Sequence, residues 1–167
     1  PTPTCAARST PVPNPHGDAR PATWAVLTSN LSDFGAIWPL VTLLQVATRR
    51  RGALDAMTRL GLVGISALLV TRLLKRSGAE RPSGDRSAST WVRTPSSPRC
   101  PSGHTRASTA AAVAIPSTTL GEAAGLAFSG AVAASRLELG AHEPADVIAG
   151  AGAGLAVGTL VRWAMKA

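Results

Sequence analysis

Residues 135–146 read Ser135-Arg136-Leu137-Glu138-Leu139-Gly140-Ala141-His142-Glu143-Pro144-Ala145-Asp146, and the way this stretch folds decides the architecture around it. His142 and Asp146 are four positions apart. A helix through both would set them on one face, where the carboxylate accepts the proton of one imidazole nitrogen and aims the other outward. That is how a nucleophilic histidine is built. A second short motif, Pro101-Ser102-Gly103-His104, stands upstream, and these two motifs hold two of the three histidines in the chain.

Working outward, the sequence predicts helices on both sides. Residues 1–21 are rich in Pro, Thr, Ser and Ala, contain no apolar stretch long enough for a signal peptide, and read as a disordered tail. The chain opens on Pro1 rather than Met, which leaves room for an upstream segment. Residues 22–167 form the remaining domain. From Trp24 the chain turns apolar, is interrupted by Ser29, Asn30, Ser32 and Asp33, and resumes to Thr48. This fits a short interfacial helix followed by a first span, stopped by Arg49-Arg50-Arg51 at a water boundary. A second helix runs from Ala53 to Arg76 and ends at Ser77-Gly78. Residues 83–101, with four prolines counting Pro82, form a polar loop of functional length. A helix from Ser102 to Leu120, a turn over Gly121–Gly125, a helix over Leu126–Arg136 and a last Gly- and Ala-rich helix to Met165 complete the reading.

Composition bounds the class. Charged residues are 16% of the chain, below the roughly 25% usual for soluble domains. The abundance of Gly and Ala suits helices that approach closely, as in membrane bundles. The expected fold is all-α: a membrane-embedded bundle of about five hydrophobic helices with active-site loops at one end. A compact soluble helical bundle is the competing reading. The net charge of +8 allows nucleic acid, an anionic membrane surface or an anionic substrate as partner. No recognition helix, zinc-finger spacing or aromatic-basic interleaving accompanies it, so nucleic acid is set aside. Cys5 and Cys100 are too few for a disulfide framework and read as unpaired thiols without catalytic duty.

Counting spans brings the loop from Lys75 to His104 and the loop from Arg136 to His142 to the same end. This arrangement resembles the type 2 phosphatidic acid phosphatase superfamily, the lipid phosphatases that share an active site with bacterial acid phosphatases and vanadium haloperoxidases. The resemblance covers about Arg72 to Asp146 and rests on three motifs in order: Lys75…Arg81-Pro82, Pro101-Ser102-Gly103-His104, and Ser135-Arg136…His142…Asp146. One departure stands out. Five residues separate Lys75 from Arg81, one fewer than the family usually has, which leaves Arg76 or Arg72 as alternative holders of the first cation.

The resemblance implies in-line phosphoryl transfer through a phosphohistidine. His142 would be the nucleophile, Asp146 its orienting carboxylate, and His104 the acid that protonates the departing alkoxide and then activates water. Lys75, Arg81, Arg136 and the amides at Ser102 and Gly103 would hold the phosphate oxygens. Elementary chemistry agrees with these roles. Pro82 disfavours helix at Arg81 and frees its guanidinium to fork onto a phosphate. Ser102 is a good N-cap that leaves amides exposed at a helix N-terminus. Each motif alone reads equally as a cap, a surface arginine or a boundary salt bridge; Glu138 and Glu143 lie off the pattern and read as surface residues. No metal or other cofactor is invoked, because these loops lack the carboxylates of a two-metal site.

The expected partner is therefore a phosphorylated lipid in a membrane. Its identity is left open, since phosphatidic acid, a prenyl phosphate or diphosphate, and a phosphorylated glycolipid precursor share one reactive group. Oligomeric state is likewise unassigned. The resemblance puts the active-site end outside the cytoplasm. Arg49–Arg51, Arg162 and Lys166 suit the cytoplasmic side, although the active-site side is more basic still. A lipid phosphotransferase, a soluble acid phosphatase or haloperoxidase-like enzyme, and a non-catalytic membrane protein are the rival functions.

Overall fold

Gly150, Gly154 and Gly158 recur every four residues, so they form one bare stripe along a helix, and that stripe organises the bundle. The computed structural model describes residues 21–32, 35–76 and 100–166, without the side chains at 71 and 74–76. Six helices account for them: α1 (Thr23–Ser32), α2 (Ile37–Ala47), α3 (Ala53–Arg76), α4 (Gly103–Ala114), α5 (Thr119–Glu138) and α6 (Pro144–Ala164). No strand occurs among the described residues. The tail at 1–20, Arg81 and most of the 83–101 loop lie outside them.

The central element is α4, which packs against α6, α5 and α3. It is built of residues small enough to be surrounded: Thr105, Arg106 and every position from Ser108 to Ala114 are buried. Its closest neighbour is α6. A Cβ at Gly150 would lie 2.7 Å from the Ser102 carbonyl oxygen, one at Gly154 2.5 Å from that of Arg106, and one at Gly158 2.7 Å from that of Ala110. Only bare backbone permits such contact, which is the close packing that small-xxx-small spacing allows.

The large aliphatics face the other way. Leu43, Leu68, Leu69, Ile148 and Leu160 are all exposed, while the core is mostly alanine with Trp38, Val63, Ile115 and Val161. Soluble domains rarely leave contiguous apolar surface of this extent. Two helices, over Ala53–Val70 and Pro144–Ala164, are long and apolar enough to cross a membrane, and only 17% and 33% of those windows is buried inside the protein. Among the described residues these are the two helices that meet the length and apolarity of a span. At 11 residues, α2 reaches only about 16 Å, and α1 is shorter still.

The element boundaries correct the sequence reading in two places. α3 spans Ala53–Arg76 as expected. The helix from Ser102 stops at Ala114 instead of Leu120, because Pro116 has no N–H to continue the ladder after Ile115. The turn over Gly121–Gly125 does not exist: α5 is continuous from Thr119, started by the Thr118 hydroxyl accepting from the Gly121 amide. Gly125 serves close packing instead, since a Cβ there would meet Ala112 at 3.1 Å and Trp38 at 3.3 Å.

The chain runs so that α3 ends, α4 begins, α5 ends and α6 begins at one end of the bundle. The opposite end is fastened by side chains. Asp55 accepts from Arg51 at 2.6 Å and from Arg59 at 3.0 Å. Arg51 also donates to the Pro116 carbonyl, and Arg59 to those of Ala114 and Met165, which neutralises the negative ends of α4 and α6. Arg162 forks onto Glu122 at 2.6 and 3.1 Å. At this end α2 closes in a two-bond C-cap: the Arg49 amide donates to Val46 and the Arg50 amide to Gln45. Arg49 takes the left-handed position of that cap at φ 53, where glycine is unstrained and any other residue costs about 1 kcal/mol.

Candidate active site

The third motif is two helix caps joined back to back. α5 ends with Gly140 at φ 62, its amide donating to Leu137 and that of Ala141 to Arg136, the pattern that closes a helix C-terminus through a left-handed glycine. The His142 amide also donates to the Arg136 carbonyl, at 3.2 Å. The six-residue step from Arg136 to His142 is thus the length of this closure. α6 then opens with Glu143 as N-cap, Pro144 in the first turn, and a reciprocal box in which the Asp146 carboxylate accepts from the Glu143 amide at 3.0 Å.

His142 therefore does not share a helix with Asp146. It sits just outside α6, and the capping turn rather than a helical face brings its Nδ1 to 3.6 Å from Asp146 Oδ2. That separation is longer than a hydrogen bond; contacts of this kind often tighten only when a ligand binds. Both side chains are buried, 3% and 9% exposed. Glu143 is also more than a surface residue, since its carboxylate closes the cap.

The second motif rests on the same turn. The Ser102 amide donates to the Asp146 carbonyl at 2.9 Å, so the start of α4 is bonded to the start of α6. Ser102 stands at the N-cap position without making a side-chain cap; its hydroxyl instead accepts from Thr105 at 3.1 Å. His104 lies half-buried on the first turn of α4, and a Cβ at Gly103 would meet none of the described atoms within 4 Å.

Arg136 is fully buried and donates to the Ser29 hydroxyl at 2.5 Å. Ser29, itself 0% exposed on α1, had read only as an interruption of an apolar run. Arg106 was likewise read as one more loop cation. It is 4% exposed and donates to the Ala67 carbonyl, tying α4 to the helix that ends at the first motif. Neither partnership leaves a local signal in sequence, because each joins residues far apart in the chain. Lys75 falls on the last turn of α3, its side chain outside the described set, and Arg81 lies outside it altogether. The structure thus joins Ser102, Gly103, His104, Arg136, His142 and Asp146 at one end and does not describe the first motif.

Cys100, next to this site, is disulfide-bonded and not a free thiol. The only other cysteine, Cys5, lies outside the described residues.

Fold and site define an all-helical protein with two histidines, a buried arginine and a helix N-terminus gathered at one end of a small-residue bundle. The chain belongs to the PAP2 superfamily, whose pattern matches residues 17–167. Membership supports a phosphatase, a hydrolase of phosphate esters, as the general activity. Comparison with curated proteins and with solved structures gave no significant match.

Proposed function

We propose that this protein is a membrane-embedded lipid phosphate phosphatase working through a phosphohistidine on His142. The observation that carries the reading is the joined pair of caps, which brings Arg136, His142 and Asp146 onto one turn and bonds the Asp146 carbonyl to the Ser102 amide. The outward leucines of α3 and α6 favour a lipid surround over the soluble alternative. In this reading several helices are embedded and the acyl or prenyl tail stays in the bilayer.

The reaction has two displacements. His142 Nε2 attacks phosphorus while the bond to the lipid oxygen breaks, and His104 gives that oxygen its proton. Asp146, beside Nδ1, steadies the positive charge that the imidazole gains. Water, losing its proton to His104, then attacks phosphorus; the P–N bond breaks and inorganic phosphate leaves. Arg136, Lys75, Arg81 and the Gly103 amide hold the equatorial oxygens in line; the Ser102 amide, expected to join them, is engaged by the Asp146 carbonyl instead. Arg72 and Arg76 remain rivals of Lys75, and separate replacement decides among them: only the true clamp lowers turnover about 100-fold or more.

The test is phosphate release by detergent-purified protein from a panel of phosphatidic acid, prenyl phosphates and diphosphates, and phosphorylated glycolipids. Brief exposure to labelled substrate should leave acid-labile label on the wild type and none on His142→Ala. Release should persist in excess chelator and fall with vanadate, which mimics five-coordinate phosphorus. Strict dependence on an added divalent ion, or label on the His142→Ala protein, would overturn the mechanism.

A further inference from the structure

α1 meets the end of α5 through two matched pairs of side chains. On α1, Ala25 and Ser29 are four positions apart and share a face; both are 0% exposed. On α5, Arg136 and the C-cap Leu139 are three positions apart and equally buried. Ala25 packs with Leu139, Val26 beside them, and Ser29 accepts from Arg136 Nη1 at 2.5 Å. The apolar pair docks the short helix, and the polar pair joins it to a cation.

That bond bears on the site because of what the main chain of Arg136 already does. Its carbonyl accepts the amides of Ala141 and His142, so the backbone of Arg136 sets where the imidazole stands. The guanidinium leaves the same Cα on a long flexible stem, and something else has to aim it. A guanidinium is planar and rigid, so fixing the stem and one terminal nitrogen fixes the plane in which all its donors lie. Ser29 and Arg136 are both fully buried, so water does not compete for the bond that does this. The Ser29 hydroxyl therefore acts on the orientation of Arg136 as the Gly140 turn acts on the position of His142.

We propose that Ser29 is a positioning residue for phosphoryl transfer: its hydroxyl sets the plane of the Arg136 guanidinium relative to His142, which makes α1, outside the three motifs, a working part of the site. The proposal rests on the reading of Arg136 as a phosphate clamp. Donors aimed before the substrate arrives favour the transition state, where charge spreads over the equatorial oxygens, over the bound ester. Loss of that aim therefore falls on kcat more than on KM. A hydroxyl that only filled space in the scaffold would do the opposite, changing stability and leaving turnover of the folded protein intact.

The test uses the full chain in detergent, with vanadate as a probe of the in-line geometry and p-nitrophenyl phosphate as a soluble substrate, so that the identity of the natural lipid does not enter. Ser29→Ala should lower kcat a few-fold and weaken vanadate binding by a similar factor, while KM moves less than about twofold. Ser29→Thr keeps the hydroxyl and should recover part of both losses; Ser29→Val has the shape of threonine without its oxygen and should recover neither. In an Arg136→Ala background, Ser29→Ala should change neither quantity further, because the two residues act as one unit. Wild-type kcat and vanadate affinity in Ser29→Ala, equal behaviour of the threonine and valine variants, or additive losses in the double variant would each overturn the positioning role. Should Arg136→Ala fold poorly, the contrast between threonine and valine decides alone. Wild-type turnover by Arg136→Ala would overturn the clamp reading instead, and absence of vanadate binding by the wild type would overturn the phosphatase reading.

Discussion

The two ends of the bundle are held by opposite means. Away from His142, side chains fasten backbone: Arg51 and Arg59 grip Asp55 and the last carbonyls of α4 and α6, and Arg162 grips Glu122. At the other end backbone fastens side chains. The Arg136 carbonyl takes two amides, the Asp146 carbonyl takes that of Ser102, and the Gly140 turn sets the spacing. At the far end the charges themselves do the holding; at the active-site end main-chain bonds set where the site residues stand.

Substitutions can break or sharpen this contrast. The largest effect is expected from His142→Ala, which should lower turnover at least about 10⁴-fold with a melting temperature near wild type; a protein that unfolds instead would make His142 part of the scaffold. Arg136→Lys should follow, lowering kcat about 100-fold in steady-state assays, because an ammonium cannot reproduce the fork of a guanidinium. At the far end, Asp55→Asn should do the reverse. Its partly exposed carboxylate bridges two arginines, so its loss should cost about 1–2 kcal/mol in denaturation while the folded fraction keeps its kcat. Gly140→Ala tests the link between backbone and site. A methyl at φ 62 costs about 1 kcal/mol, and because the strain falls on the turn carrying His142, kcat should drop more than the folded fraction does. Ser29→Ala should be smallest, a few-fold fall in kcat partly restored by Ser29→Thr, with little change in melting.

Much of the fold was legible because its punctuation is local. α3 starts two residues after Arg49–Arg51, and its span runs to Arg76, next in sequence to Ser77-Gly78. The glycines misled in one place and were underused in another. Gly121 and Gly125 carry turn chemistry but lie within α5, where Thr118 and Pro116 approach the first and Ala112 and Trp38 the second. Gly150, Gly154 and Gly158 announced a helix seam by their spacing alone. For the site, residue identities were legible and their geometry was not. His-x-x-x-Asp suggested one helical face, while Gly140 and Pro144, both visible in the sequence, mark a helix end and a helix start between Arg136 and Asp146. Arg136 with Ser29 and Arg106 with Ala67 are contacts between distant segments, and one chain read alone carries no trace of them.

The glycine stripe on α6 has a last consequence. Three identical notches at equal intervals make a ruler that can be read one division out: sliding α6 by a turn, about 5.4 Å along its axis, would set Gly154 against the surface that Gly150 now meets. Bonds at both ends stop the ratchet: the Ser102 amide on the Asp146 carbonyl at one, and Arg162 on Glu122 with Arg59 on the Met165 carbonyl at the other.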